Sequence, residues 1–203
     1  MLRRTTILAT LAVALILGFI GHGFAQAPSQ HLTIEADRLS EGIARVTYVL
    51  VHSEPGQEYG EFPGNGLGMF DEIISTRAFE VNTQQELPTE LVPAQSPTVE
   101  GLQAVRFDFP NPVPLGGNYR TEVTIEGVAN FIARDSAGRW EFSYGTGWNE
   151  VFFVLPLGHA IVYASEPILV YERAGSTVAQ VRRAGSSPFG DRRYIIFKTR
   201  TDF

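Results

Sequence analysis

From Tyr119 to Glu126 the chain alternates without a break: Tyr119, Thr121, Val123 and Ile125 fall on one side, Arg120, Glu122, Thr124 and Glu126 on the other. Successive side chains of an extended strand point to opposite faces, so this segment reads as a strand with one dry and one wet side. Gly127 interrupts the pattern, which resumes through residues 128–133, and a bulge or bend is expected at that glycine. Asp135 and Gly138 then supply the chemistry of a tight turn, after which Trp140, Phe142 and Tyr144 alternate with Glu141 and Ser143. A second hairpin pairs residues 168–173 with 177–183 around Ala174-Gly175-Ser176. Further strands are expected at 32–37, 44–51, 104–109, 151–155, 160–164 and 194–199. The total of about ten, separated by Pro- and Gly-containing turns, predicts an all-β fold, an antiparallel β-sandwich of short strands.

One segment reads differently. Phe70, Ile73, Ile74 and Ala78 fit a helical face and Asp71-Glu72 suit a helix N-terminus, so residues 70–78 are expected to form one short helix. Three proline-bearing stretches, 52–68, 84–97 and 110–118, are expected to lack regular structure. The first is long enough to suggest a functional loop.

The chain ends and composition bound its class. Arg3 and Arg4 precede an apolar stretch from residue 7 to 20, and Ala25-Gln26-Ala27 presents small residues where a signal peptidase cuts. Residues 1–27 are therefore expected to be a cleavable signal peptide and 28–203 a single domain, with no membrane span after cleavage. Cysteine is absent, which removes disulfides and cysteine-linked lipid. Asn-x-Ser/Thr is absent too, so a bacterial envelope, periplasmic or extracellular, is the expected location. Losing Arg3 and Arg4 takes the formal net charge from −6 to about −8, which argues against nucleic acid as a partner. The basic residues gather late, at Arg173, Arg182, Arg183, Arg192, Arg193, Lys198 and Arg200, and are read as lining the solvent face of the last strands.

Catalytic chemistry finds no foothold. There is no Gly-x-Ser-x-Gly, and His31, His52 and His159 have no second ligand at helical spacing, so neither a nucleophile nor a zinc site is expected. His159 is read as a turn residue. Gly64-Asn65-Gly66-Leu67-Gly68 lacks the lysine and the strand-to-helix setting of a phosphate loop. Glu54, Glu58, Glu61, Asp71 and Glu72 could supply oxygen ligands to Ca²⁺, but their spacing matches no calcium loop, and solvated carboxylates are the expectation. No cofactor is expected. Trp140, Phe142 and Tyr144 are read as core rather than as a sugar-stacking platform.

The run from Tyr194 to Phe203 resembles the closing strand of bacterial outer-membrane barrels. That resemblance would turn Ile195, Phe197, Thr199, Thr201 and Phe203 toward lipid, and the two threonines depart from it. Against a barrel, the other strands are short and 151–155 is an apolar run rather than an alternation. The reading is an exported binding or interaction module, with an outer-membrane barrel and a hydrolase or lyase of dispersed carboxylates as alternatives. Its contact residues are expected at Tyr59, Phe62, Asn65, Trp148 and Asn149, toward a protein or carbohydrate partner.

Overall fold

The computed structural model describes residues 31–63, 67–94, 100–144, 150–156, 158–182 and 193–199. These residues form fifteen strands and one 3₁₀ turn, Leu39–Glu41. In chain order the strands are β1 (His31–Arg38), β2 (Ile43–His52), β3 (Tyr59–Phe62), β4 (Phe70–Glu80), β5 (Glu86–Leu87), β6 (Thr89–Pro93), β7 (Gln103–Asp108) and β8 (Tyr119–Ala129). They continue as β9 (Ile132–Arg134), β10 (Trp140–Tyr144), β11 (Glu150–Pro156), β12 (His159–Ala164), β13 (Ile168–Arg173), β14 (Ser176–Arg182) and β15 (Arg193–Thr199). No helix among the described residues is long and apolar enough to cross a membrane.

An eight-stranded sheet, ordered β13-β14-β11-β1-β2-β8-β4-β5, is packed on one face by a four-stranded sheet, β12-β15-β10-β9, and a three-stranded sheet, β3-β7-β6. Register explains the shared face. Ala179, Phe153, Ile34, Val46 and Ile125 are successive cross-strand neighbours, all essentially inaccessible. Phe142 of β10 meets Phe153 with ring centroids 5.8 Å apart, while Phe62 of β3 meets Tyr48 of β2 at 4.4 Å. The fold is all-β and sandwich-like, and its sheets remain open rather than closing into a barrel.

Four expectations are corrected. Residues 70–78 form no helix but belong to β4, which pairs with β8. Register shifts between Phe70 and Glu72 and between Ile73 and Ser75 each insert an extra residue. Phe70, Ile73 and Thr76, each less exposed than the residues between them, therefore recur three apart, and two bulges imitate a helical period. The stretches 52–68 and 84–97 contain β3, β5 and β6, strands too short or too proline-bounded to show alternation. Residues 195 and 197 do not face lipid: Ile195 and Phe197 are fully buried in β15, which lies between β12 and β10. Lastly, β1 and β11 run parallel, whereas the other strand pairs among the described residues are antiparallel.

The hairpin turns follow their local chemistry. Asp135 accepts from the backbone N–H groups of Ala137 and Arg139, both at 2.9 Å, closing the β9–β10 turn. The β13–β14 loop is two residues long, with Ala174 and Gly175 at φ of 48° and 79°, the left-handed pair a tight hairpin requires. At the β4–β5 turn the buried Glu80 carboxylate accepts from Thr83 N at 2.6 Å and Asn82 N at 3.1 Å. Burial is the largest single influence on that carboxyl and raises its pKa, but the hydrogen bonds together outweigh it and hold the pKa below the ordinary value.

Candidate binding surface

The three-stranded sheet carries the candidate surface, and its rigidity begins underneath. Gly60 of β3 lies directly on the Phe107 ring of β7, with no room for a Cβ. Phe107 packs edge-on to Phe109 at 5.9 Å, and Phe109 stacks on Tyr119 at 4.9 Å. Into this apolar cluster projects His52, with ring centroids 5.0 Å from Phe109 and 5.7 Å from Phe107. Its Nε2 is 2.8 Å from the hydroxyl of the fully buried Thr121.

Burial pushes the His52 pKa down from 6.5 to about 4. The unfolded chain thus binds a proton that the folded chain refuses between those values. The stability linked to neutral His52 is complete above pH 6.5 and is lost as pH falls toward 4. Because the ring is partly exposed, the loss expected between pH 7 and pH 4.5 is on the order of 2 kcal/mol. Urea denaturation at the two pH values should show His52→Gln shrinking that difference; an unchanged difference would remove His52 as its source.

On the outer side, Tyr59 is 41% exposed. The Arg106 guanidinium sits 4.0 Å from its ring centroid, a cation–π contact, and Arg106 Nε is 3.5 Å from Asp108. Depressions flank Tyr59 on both sides. One, of about 540 Å³, is bordered by Glu54, Glu58 and Glu61; the other, of about 390 Å³, by Arg106, Asp108 and Asn111. The loop before β3 is tied down rather than free. Gly56 N donates to Val113 O at 2.8 Å, Val113 N to Gln57 O at 2.9 Å, and Phe109 N to Glu58 O at 2.8 Å. The arrangement offers one aromatic edge, carboxylates on one flank and a mixed-charge recess on the other.

Tyr59 is thus exposed, whereas Phe62, also expected as a contact residue, turns inward and packs on Tyr48, because strand alternation gives it the face opposite Tyr59 and Glu61 and toward the core. Asn65, Trp148 and Asn149 lie outside the described residues. Their flanks can be placed: His31 of β1 pairs with both Val49 and Glu150, so Glu150 and His52 stand at the same end of the large sheet, separated by β1. Residues 145–149 precede Glu150, and the loop leading to Tyr59 follows His52.

Five carboxylates considered for Ca²⁺ do not converge. Glu54, Glu58 and Glu61 border the depression beside Tyr59, while Asp71 and Glu72 border another beside Phe70 and Leu102. Asp71 accepts from Asn130 Nδ2 at 3.1 Å. Among the described residues no three His, Cys, Asp or Glu are grouped to hold a metal. His159 Nδ1 is 3.1 Å from the Pro156 carbonyl oxygen, bridging the turn before β12. Phe142 is fully buried and Trp140 packs against the core with Arg134 5.2 Å from its ring. Arg106 and Asp108 were not foreseen as site residues; the only signal is that they fall on the polar side of the alternation in 104–109.

No protein-family model matches the chain, and no curated protein matches it significantly. Among solved structures it is similar in fold to the M1 zinc metallopeptidase of Deinococcus radiodurans, at 12% identity and a TM-score of 0.50. A mutant of that enzyme matches with the same values. The similarity covers 83% of this chain and 41% of the enzyme, so the chain spans less than half the length of the protein it matches.

Proposed function

We propose that this chain is an exported β-module that acts by binding, and that Tyr59, with Glu54, Glu58 and Glu61 beside it, is its contact surface toward a protein or carbohydrate partner. The observation that carries the reading is an exposed aromatic ring pinned by Arg106 on a strand that is itself seated on the Phe107 ring. A ring already ordered loses little freedom on binding, and aromatic anchors dominate interface energetics. Trp148 and Asn149, which precede Glu150 in the sequence, are proposed as further contact residues. A likeness in fold at 12% identity brings no activity with it. No histidine in the sequence is followed by glutamate, so the His-Glu-x-x-His zinc motif is not encoded in these 203 residues.

Two measurements test the reading. In a bacterial host the processed chain should be recovered from the envelope with Pro28 at its N-terminus; a chain retaining residues 1–27 in the cytosol would overturn export. A photo-crosslinking phenylalanine analogue at position 59 should give a discrete adduct that the same group at Ser136, in the β9–β10 turn, does not. Tyr59→Ala should weaken retention of the adduct's partner by about tenfold or more. Equal labelling from both positions would reject the surface.

A further inference from the structure

The outward face of the large sheet, opposite both small sheets, holds a second recess, of about 420 Å³. That size falls within the roughly 300–1,000 Å³ range of small-molecule sites. Cross-strand neighbours Tyr171, Val178 and Val154 form one row ending at Glu35, and Phe152 lies one step along β11. Next to the recess this face turns polar: β2 presents Arg45 and Thr47 beside Glu35 and Thr33, and β8 presents Glu126 and Thr124 beyond them, while Val49 and Phe79 lie further along it with Glu122. The apolar row is thus bounded by charged and hydroxyl side chains on its β1–β2 side, and it explains why residues 151–155 are apolar on both faces of a strand.

Charge around the recess is unbalanced. The Glu35 carboxylate is taken up by Arg45 at 3.1 Å, and Arg182, on the same face, by Glu150 at 3.2 Å. Arg173, exposed at the opposite end of the recess from Glu35, has no carboxylate within ion-pair distance among the described residues. Its neighbour Glu172 projects to the other face of β13. Among the described residues the recess thus joins an apolar floor running across three strands for roughly 10 Å to an uncompensated guanidinium.

We infer that this recess binds a free amphiphilic carboxylate of the fatty-acid type, its acyl chain over Tyr171, Val178, Val154 and Phe152 and its carboxylate on Arg173. A guanidinium fork matches a carboxylate with two parallel hydrogen bonds, which a neutral alcohol cannot reproduce. The site is separate from the Tyr59 surface and does not depend on it.

Calorimetric titration of the purified protein with decanoate, below its micellar concentration, and with decanol tests the assignment. One saturable site for decanoate is expected. Arg173→Gln should weaken decanoate about tenfold and leave decanol unchanged. Val154→Thr, of nearly equal volume, should weaken both several-fold with an unaltered thermal midpoint. Absence of saturable heat, an Arg173→Gln protein that binds decanoate as the parent does, or association only with anionic phospholipid vesicles would each overturn the inference.

Discussion

Phe142→Ala should cost the fold about 3–5 kcal/mol. Phe142 is fully buried, and its ring lies 4.8 Å from Phe197 of its own sheet and 5.8 Å from Phe153 of the large one. It also approaches Phe131 at 6.3 Å, so it fills the joint where the four-stranded sheet meets the eight-stranded sheet. Removing it withdraws the transfer free energy of a whole aromatic side chain and leaves a cavity that two sheets, each held by its own ladder, cannot close. The thermal midpoint of a domain this size should fall by roughly ten degrees. Phe142→Leu, which keeps part of the volume, should lose only about a third as much. Denaturation curves for the two variants decide the matter: a Phe142→Ala loss below about 1 kcal/mol would mean that the sheets are not joined through this ring.

Gly127→Ala should be nearly as damaging, at about 2–3 kcal/mol, for a different reason. A Cβ at Gly127 runs into the carbonyl oxygen of Glu72 and comes within 2.9 Å of the Phe70 ring. The obstacle is backbone, at the place where β4 carries its two bulges against β8, so no side-chain rotation relieves it. Gly68→Ala is the matched control. There a Cβ would meet Leu102 at 3.6 Å, an ordinary contact, and the change should stay within about 0.5 kcal/mol. Equal effects of the two substitutions would show that the cost is generic to losing a glycine and not to the close approach at β4.

The Gly127 case shows how much could be read without coordinates. Its interruption of an alternating strand announces a local irregularity, yet β8 passes through it unbroken and the bulges sit in the partner strand. Alternation tells which face a side chain takes but not which strand stands beside it. The same gap hid β3 and the setting of Tyr59. Tyr59 could be chosen as an exposed aromatic in a glycine-rich stretch, but Phe62, three residues on, differs from it only through a strand too short to display its period.

By itself the sequence determined the composition of the faces: the all-β class, the two hairpins, the wet and dry sides of β8, and the apolar run of β11. These are local properties, set by side-chain period and turn chemistry within a few residues. Only the tertiary structure decided the parallel pairing of β1 with β11, the burial of His52 beneath Gly60, the placing of Arg106 over the Tyr59 ring, and the meeting of Arg173 with an apolar floor drawn from three strands. Each joins residues far apart in the chain, and hydrogen-bonding groups that are alike in every strand leave no mark in the sequence of which partner they will take.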